Sequence, residues 1–145
     1  MQINGEWFLG SDGIVRPVIH GQILAGNGVW VSAPFLVDTG ADRTVFSATI
    51  FAELHLQPIA VQERLGGLGG IAMSVAVETQ IRFRREAGRG PVVFRGQYAA
   101  VTALEALDIS VLGRDITGLF AVIVDQPGNV VCLVGQRHQY RIEQR

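Results

Sequence analysis

Apolar and polar positions alternate through residues 15–24, and Ala25-Gly26-Asn27-Gly28 supplies a turn before a second apolar run at 29–37. A period of two broken by an Asn-Gly turn predicts a β-hairpin. The second run stops abruptly at Asp38-Thr39-Gly40-Ala41-Asp42, which puts a carboxylate at the end of a buried strand. Ser47 is placed to cap a short helix over 48–54, with Ile50, Phe51 and Leu54 on one face and Glu53 toward solvent, and Pro58 is expected to stop it. Gly66-Gly67-Leu68-Gly69-Gly70 follows, four glycines in five positions flanked by strand-like residues, as in a mobile hairpin tip. Strands are predicted at 73–83 and 92–101, joined by an exposed connection at 85–91. An apolar strand at 107–112 is halted by Gly113, and a helical turn is predicted at 116–118. A last hairpin then has arms at 119–124 and 130–134 around Asp125-Gln126-Pro127-Gly128-Asn129. The tail, 136–145, is polar enough to fray or lie on a surface.

Composition agrees with this picture. Apolar residues make up 48% of the 145 positions and 18 are glycine, which favours short strands and tight turns over a helical bundle. The expected class is all-β, β-rich with one or two short helices, in a single domain over 1–145. The net charge of −1 gives no global field to draw the chain onto nucleic acid or an anionic membrane. All 12 basic residues are arginine. Arg82, Arg84, Arg85, Arg89 and Arg95 form the one basic cluster. With only Phe83 and Phe94 nearby as stacking platforms, it reads as the solvated face of a hairpin rather than a nucleic-acid surface. His20, His55 and His138 show no metal-ligand spacing with each other or with Cys132, so no metal site is expected. Cys132, the lone cysteine, reads as a small buried hydrophobe, and Trp7 and Trp30 read as core anchors. Residues 1–10 lack both a basic leader and an apolar run, and no apolar stretch approaches the roughly 20 residues of a spanning helix, so a cytoplasmic protein is expected.

An Asp-Thr-Gly turn alone is a weak signal, since strand ends favour Asp and Gly for structural reasons. Three features in order strengthen it: the apolar run ending in Asp38-Thr39-Gly40-Ala41, the Gly-Gly-Leu-Gly-Gly hairpin about 30 positions on, and the apolar run ending in Gly113-Arg114-Asp115. No Gly-Lys-Ser/Thr follows the glycine run and no helix opens after it, which argues against a phosphate-binding loop. At these residues the sequence resembles the retropepsin-like aspartic peptidases, relatives of the retroviral proteases. The likeness runs over roughly 15–134 and is closest at 36–46 and 111–115.

The resemblance implies an acid-protease barrel with one half-site per chain, Asp38 as the catalytic carboxylate, and Thr39 locking two active-site loops together. Gly40 would admit substrate backbone, with Ala41 and Asp42 beside it, and Gly66, Gly67, Leu68, Gly69 and Gly70 would form a flap tip over the peptide. Gly113 and Arg114 would support the loop, with Arg114 reaching back to Asp42. Asp108 and Asp115 lack a following Thr/Ser-Gly, so one chain holds one such turn. The second carboxylate must therefore come from a two-fold homodimer. Two carboxylates about 3 Å apart share one proton and titrate as a pair, an arrangement for which aspartic proteases are the type example. It calls for no cofactor. Ala41 stands where pepsin-like members of the wider superfamily have Ser, whose hydroxyl favours the ionised form, so a mildly acidic to near-neutral working range is expected.

The expected activity is an aspartic endopeptidase acting on peptide or protein substrates. The alternative is a non-catalytic peptide-binding or dimerisation module on the same fold. Two departures from the compact viral pattern, an enlarged hairpin at 87–91 and an extra C-terminal hairpin, leave the mode of dimerisation open. The apolar arms of the C-terminal hairpin, 119–134, are the candidate interface.

Overall fold

The computed structural model describes residues 1–67 and 70–135, with 61–67 and 70–72 described by their backbone alone. Leu68 and Gly69 of the glycine run, His138 and the 136–145 tail lie outside the described residues. The chain is β-rich, as the alternation predicts. Its strands are β1 (Gln2–Asn4), β2 (Glu6–Leu9), β3 (Val15–Leu24), β4 (Trp30–Val37) and β5 (Val45–Phe46), then β6 (Ala60–Gly67), β7 (Gly70–Phe83), β8 (Val92–Val101), β9 (Ser110–Leu112), β10 (Ala121–Asp125) and β11 (Val130–Val134). Helices are α1 (Ala48–Leu54) and α2 (Arg114–Thr117).

Eight strands form one sheet in the order β2-β3-β4-β9-β5-β8-β7-β6, and β3 also pairs with β7 through Gln22↔Arg82 and Ile23↔Ile81. That extra pairing closes β3-β4-β9-β5-β8-β7 into a barrel, which removes the edges of those strands. A second sheet, β1-β11-β10, packs beside it and gives Ile3, Val131 and Leu133 to the same core. Inside, Phe35 lies edge-on to Phe46 and Phe83 at 6.3 and 5.8 Å between ring centroids, and Phe94 continues the line to Phe120 at 6.0 Å. Each such pair contributes roughly 0.5–1.5 kcal/mol beyond area burial.

The order of β4, β9 and β5 positions the candidate site. β9 inserts between the two strands that flank the Asp38 turn, parallel to β4 (Leu36↔Val111, Val37↔Leu112) and antiparallel to β5 (Val45↔Val111). A segment more than 60 residues downstream thus forms the floor of the loop.

Several local readings need correction. β9 is three residues long, because 107–109 turn away before pairing begins. The helix after it starts at Arg114 rather than Ile116, with the N–H groups of Ile116 and Thr117 bonded to the Gly113 carbonyl. Helix α1 is capped by Ser47, whose hydroxyl accepts from the Ile50 N–H, but it is ended by His55 in the left-handed conformation (φ 50°) before Pro58 is reached. β1 and β2 were not anticipated. Trp7 packs on the core as expected and donates its indole N–H to the carbonyls of Asp125 and Val130, latching the last hairpin. Trp30 instead lies half-buried under the Arg82 guanidinium, 4.1 Å from the ring centroid, so Arg82 is packed and bonded to Gln22 while Arg84 is exposed. Cys132 is buried, and that burial pushes its thiol pKa up.

Candidate active site

Strand alternation sends Phe35 and Val37 into the core, where they are fully and nearly buried, and leaves Leu36 and Asp38 on the opposite face. The Asp38 N–H bonds the Leu112 carbonyl at 3.2 Å, extending the β4–β9 ladder by one rung to the carboxylate itself. Beyond it the chain turns sharply. Gly40 N–H donates to Asp38 Oδ1 at 2.9 Å, and Ala41 N–H to the Asp38 carbonyl at 3.2 Å. A Cβ on Gly40 would stand 3.3 Å from Asp38 Oδ1 and crowd it. Among the described residues, the Asp38 carboxylate has this one hydrogen bond and no ion pair, and the exposed Thr39 hydroxyl has no hydrogen-bond partner.

The loop is held from beneath by the start of α2. Arg114 forms an ion pair with Asp42 through Nη2, donates through Nη1 to the Thr39 carbonyl at 2.8 Å, and donates its backbone N–H to the Ala41 carbonyl at 2.8 Å. One residue therefore satisfies three loop acceptors. Gly113 packs so close to the backbone of Arg43 that a Cβ would collide with it, which explains the glycine by close approach rather than by φ.

Two residues that motif reading missed complete the brace. Thr44 is fully buried; its N–H and hydroxyl donate to Asp115 Oδ2 and Oδ1 at 2.9 and 2.7 Å, and its hydroxyl oxygen accepts from Gly113 N–H at 3.1 Å. Asp115 Oδ1 also accepts from Ile116 N–H at 2.9 Å. The available signal was a lone Asp directly after Gly-Arg, read only as a failed second copy of the Asp-Thr-Gly turn. One strand further, burial and the Asp115 charge push the Tyr98 phenol up to about 12, and its hydroxyl donates to the Phe94 carbonyl.

The structure thus brings Asp38, Thr39, Gly40, Ala41, Asp42, Gly113 and Arg114 together. Gly66, Gly67 and Gly70 stand elsewhere in the chain, on the last rungs of the β6–β7 hairpin, Gly66↔Ile71 and Gly67↔Gly70. Among the described residues no group of three or more His, Cys, Asp or Glu side chains could hold a metal.

A closed β-barrel whose Asp-Thr-Gly turn ends one strand, with a later strand threaded beneath it, defines the retropepsin-like class of fold. The family described as aspartyl protease matches residues 20–116, from β3 through α2, and the chain belongs to that family. Among solved structures it is similar to a retropepsin-like aspartic protease from Rickettsia conorii, with a TM-score of 0.54 and 17% identity over 92% of this chain and 88% of that one. It is also similar to EIAV protease complexed with the inhibitor HBY-793, with a TM-score of 0.50 and 24% identity over 71% and 86%. A comparison with curated proteins gave no match. Among the described residues no helix is long and apolar enough to cross a membrane.

Proposed function

We propose that the chain is an aspartic endopeptidase whose active form is a homodimer, with the Asp38 carboxylates of two copies facing across a two-fold axis. The observation that carries this reading is the state of the Asp38 loop. Its carboxylate is partly exposed and free of ion pairs among the described residues, while the neighbouring charge, Asp42, is neutralised by Arg114. A carboxylate kept solely for a structural turn has no need of that separate brace.

In this reading one aspartate of the pair is ionised and the other protonated. The ionised one takes a proton from water as the water oxygen bonds to the peptide carbonyl carbon, and the protonated one gives its proton to the carbonyl oxygen. Collapse of the tetrahedral diol breaks the C–N bond; the departing nitrogen takes a proton from the dyad, and a diol hydroxyl gives its proton back to the dyad, which restores the singly protonated pair. The products are an acid and an amine, with one water consumed. The β6–β7 hairpin serves as the lid that excludes bulk water, and the substrate lies extended beneath it. The exposed Thr39 hydroxyl supplies the contact between loops.

The test pairs cleavage with assembly. Wild-type protein incubated with an unstructured protein substrate should release fragments, Asp38→Asn should release none while keeping its fold, and sedimentation should report two subunits. Equal behaviour of the two proteins across pH, with the wild type dimeric, sinks the enzyme and leaves the non-catalytic binding module.

A further inference from the structure

On the face of the barrel that bears Asp38, two residues back along β4 at Leu36, lies a cleft of about 670 Å³. Its floor follows from the register. Val18 and Leu36 are paired across β3 and β4, and Leu36 and Val111 across β4 and β9, so three apolar side chains stand in a row on the face that bears Asp38, with Leu36 half-buried at the cleft, Val111 nearly buried and Val18 fully buried beneath it. Arg16, two positions before Val18, falls on that face too, and Asp12 and Asp108 complete the rim.

The rim charges do not balance. Asp12 takes both terminal nitrogens of Arg16, Oδ1 to Nη1 at 3.0 Å and Oδ2 to Nη2 at 2.6 Å, which holds the Asp12 carboxyl down at about 2. Asp108 also acts on Arg16 through space, but it is exposed and has neither hydrogen bond nor ion pair of its own among the described residues. Two carboxylates thus face one guanidinium, both of whose terminal nitrogens are held by Asp12. The site joins an aliphatic floor to an uncompensated negative rim.

We propose that this cleft is a side-chain subsite that selects a lysine or arginine in the substrate, its methylene stem on Leu36 beside the edge of Val111 and its cationic head at Asp108. Long basic side chains suit such a site because the stem is apolar and the head stays at the wet edge. The inference deepens the proposed function and rests on peptide binding in the Asp38 groove.

The test uses a set of extended peptides identical except for lysine, arginine, norleucine or glutamate at one position beside the scissile bond. Affinity is read by fluorescence anisotropy on Asp38→Asn protein, and kcat/KM on the wild type. Lysine and arginine should bind about fivefold tighter than norleucine, as a rim ion pair allows, with glutamate weakest and the advantage shrinking at high salt. Asp108→Asn should bring lysine level with norleucine. Equal affinities for lysine and norleucine, a preference that survives Asp108→Asn, or no binding of any peptide overturns the proposal. Selective binding without cleavage by the wild type would instead sink the peptidase and keep the subsite. Cleavage without charge preference would sink the subsite alone.

Discussion

Arg114 and Asp42 are 72 positions apart in sequence, yet their ion pair fixes the loop that carries Asp38. The pair is exposed, so its Coulomb energy contributes at most about 1 kcal/mol. The larger part of the brace is geometric, since the guanidinium fork meets Asp42 and the Thr39 carbonyl together. A lysine keeps the charge and loses the fork. Arg114→Lys should therefore destabilise by about 1 kcal/mol and lower Tm by about 3 °C, with Arg114→Ala losing about twice that. Thermal unfolding checks this, and an unchanged Tm for the lysine variant contradicts it.

Gly113→Ala should be worse, although its φ of −95° suits any residue. The added methyl runs into the Arg43 backbone, and backbone on both sides has to move. A loss of about 2–4 kcal/mol is expected, seen as a lower urea midpoint. A midpoint equal to wild type would show that the loop is not tightly seated.

Thr44→Val keeps the shape and removes the hydroxyl, leaving Gly113 N–H without its acceptor in a buried place. A stranded buried donor costs about 1–3 kcal/mol. Thr44→Ser restores the oxygen and loses only a methyl, about 1 kcal/mol. Urea titration should rank serine above valine, and the reverse order would mean that the methyl group matters more than the hydrogen bonds.

Tyr98 supplies a pH test. Its phenol ionises near 10 when unfolded and near 12 when folded, so below pH 10 both states hold the proton and the full contribution is present. Between pH 10 and 12 the unfolded chain gives up a proton that the folded chain retains, and stability falls. Phenolate absorbance should show a late titration step, and Tyr98→Phe should remove it. Absence of any late step would rule out the buried, Asp115-facing setting.

The parts of this architecture that could be read from sequence are those written within a few residues. The Ser47 cap, the 25–28 turn and the strand ending at Asp38 are such features, because caps, turns and period-two burial are local physics. β1 and β2 escaped because Gln2–Asn4 and Glu6–Leu9 are too short to show a period and are set by partners elsewhere, β11 for the first and β3 for the second. The helix stop was misplaced because His55 adopts a left-handed conformation that residue type seldom announces, whereas Pro58 is a conspicuous breaker.

The candidate site divides in the same way. Asp38, Thr39 and Gly40 are contiguous, and the resemblance also pointed to Arg114 and Asp42. Thr44 and Asp115 are 71 residues apart, and their pairing follows only from β9 lying under the loop. The Val18, Leu36 and Val111 row likewise depends on register across three strands, which composition does not reveal.

The threading of β9 between β4 and β5 also sets an order of events during synthesis. When Asp38 leaves the ribosome, the strand that will floor its loop has yet to be made, and the Arg114 anchor emerges later still. Closing so distant a contact is a slow step in folding. A nascent chain halted before residue 110 lacks both β9 and the Arg114 anchor of the Asp38 loop, so any cutting power the protein has is withheld until those segments have emerged.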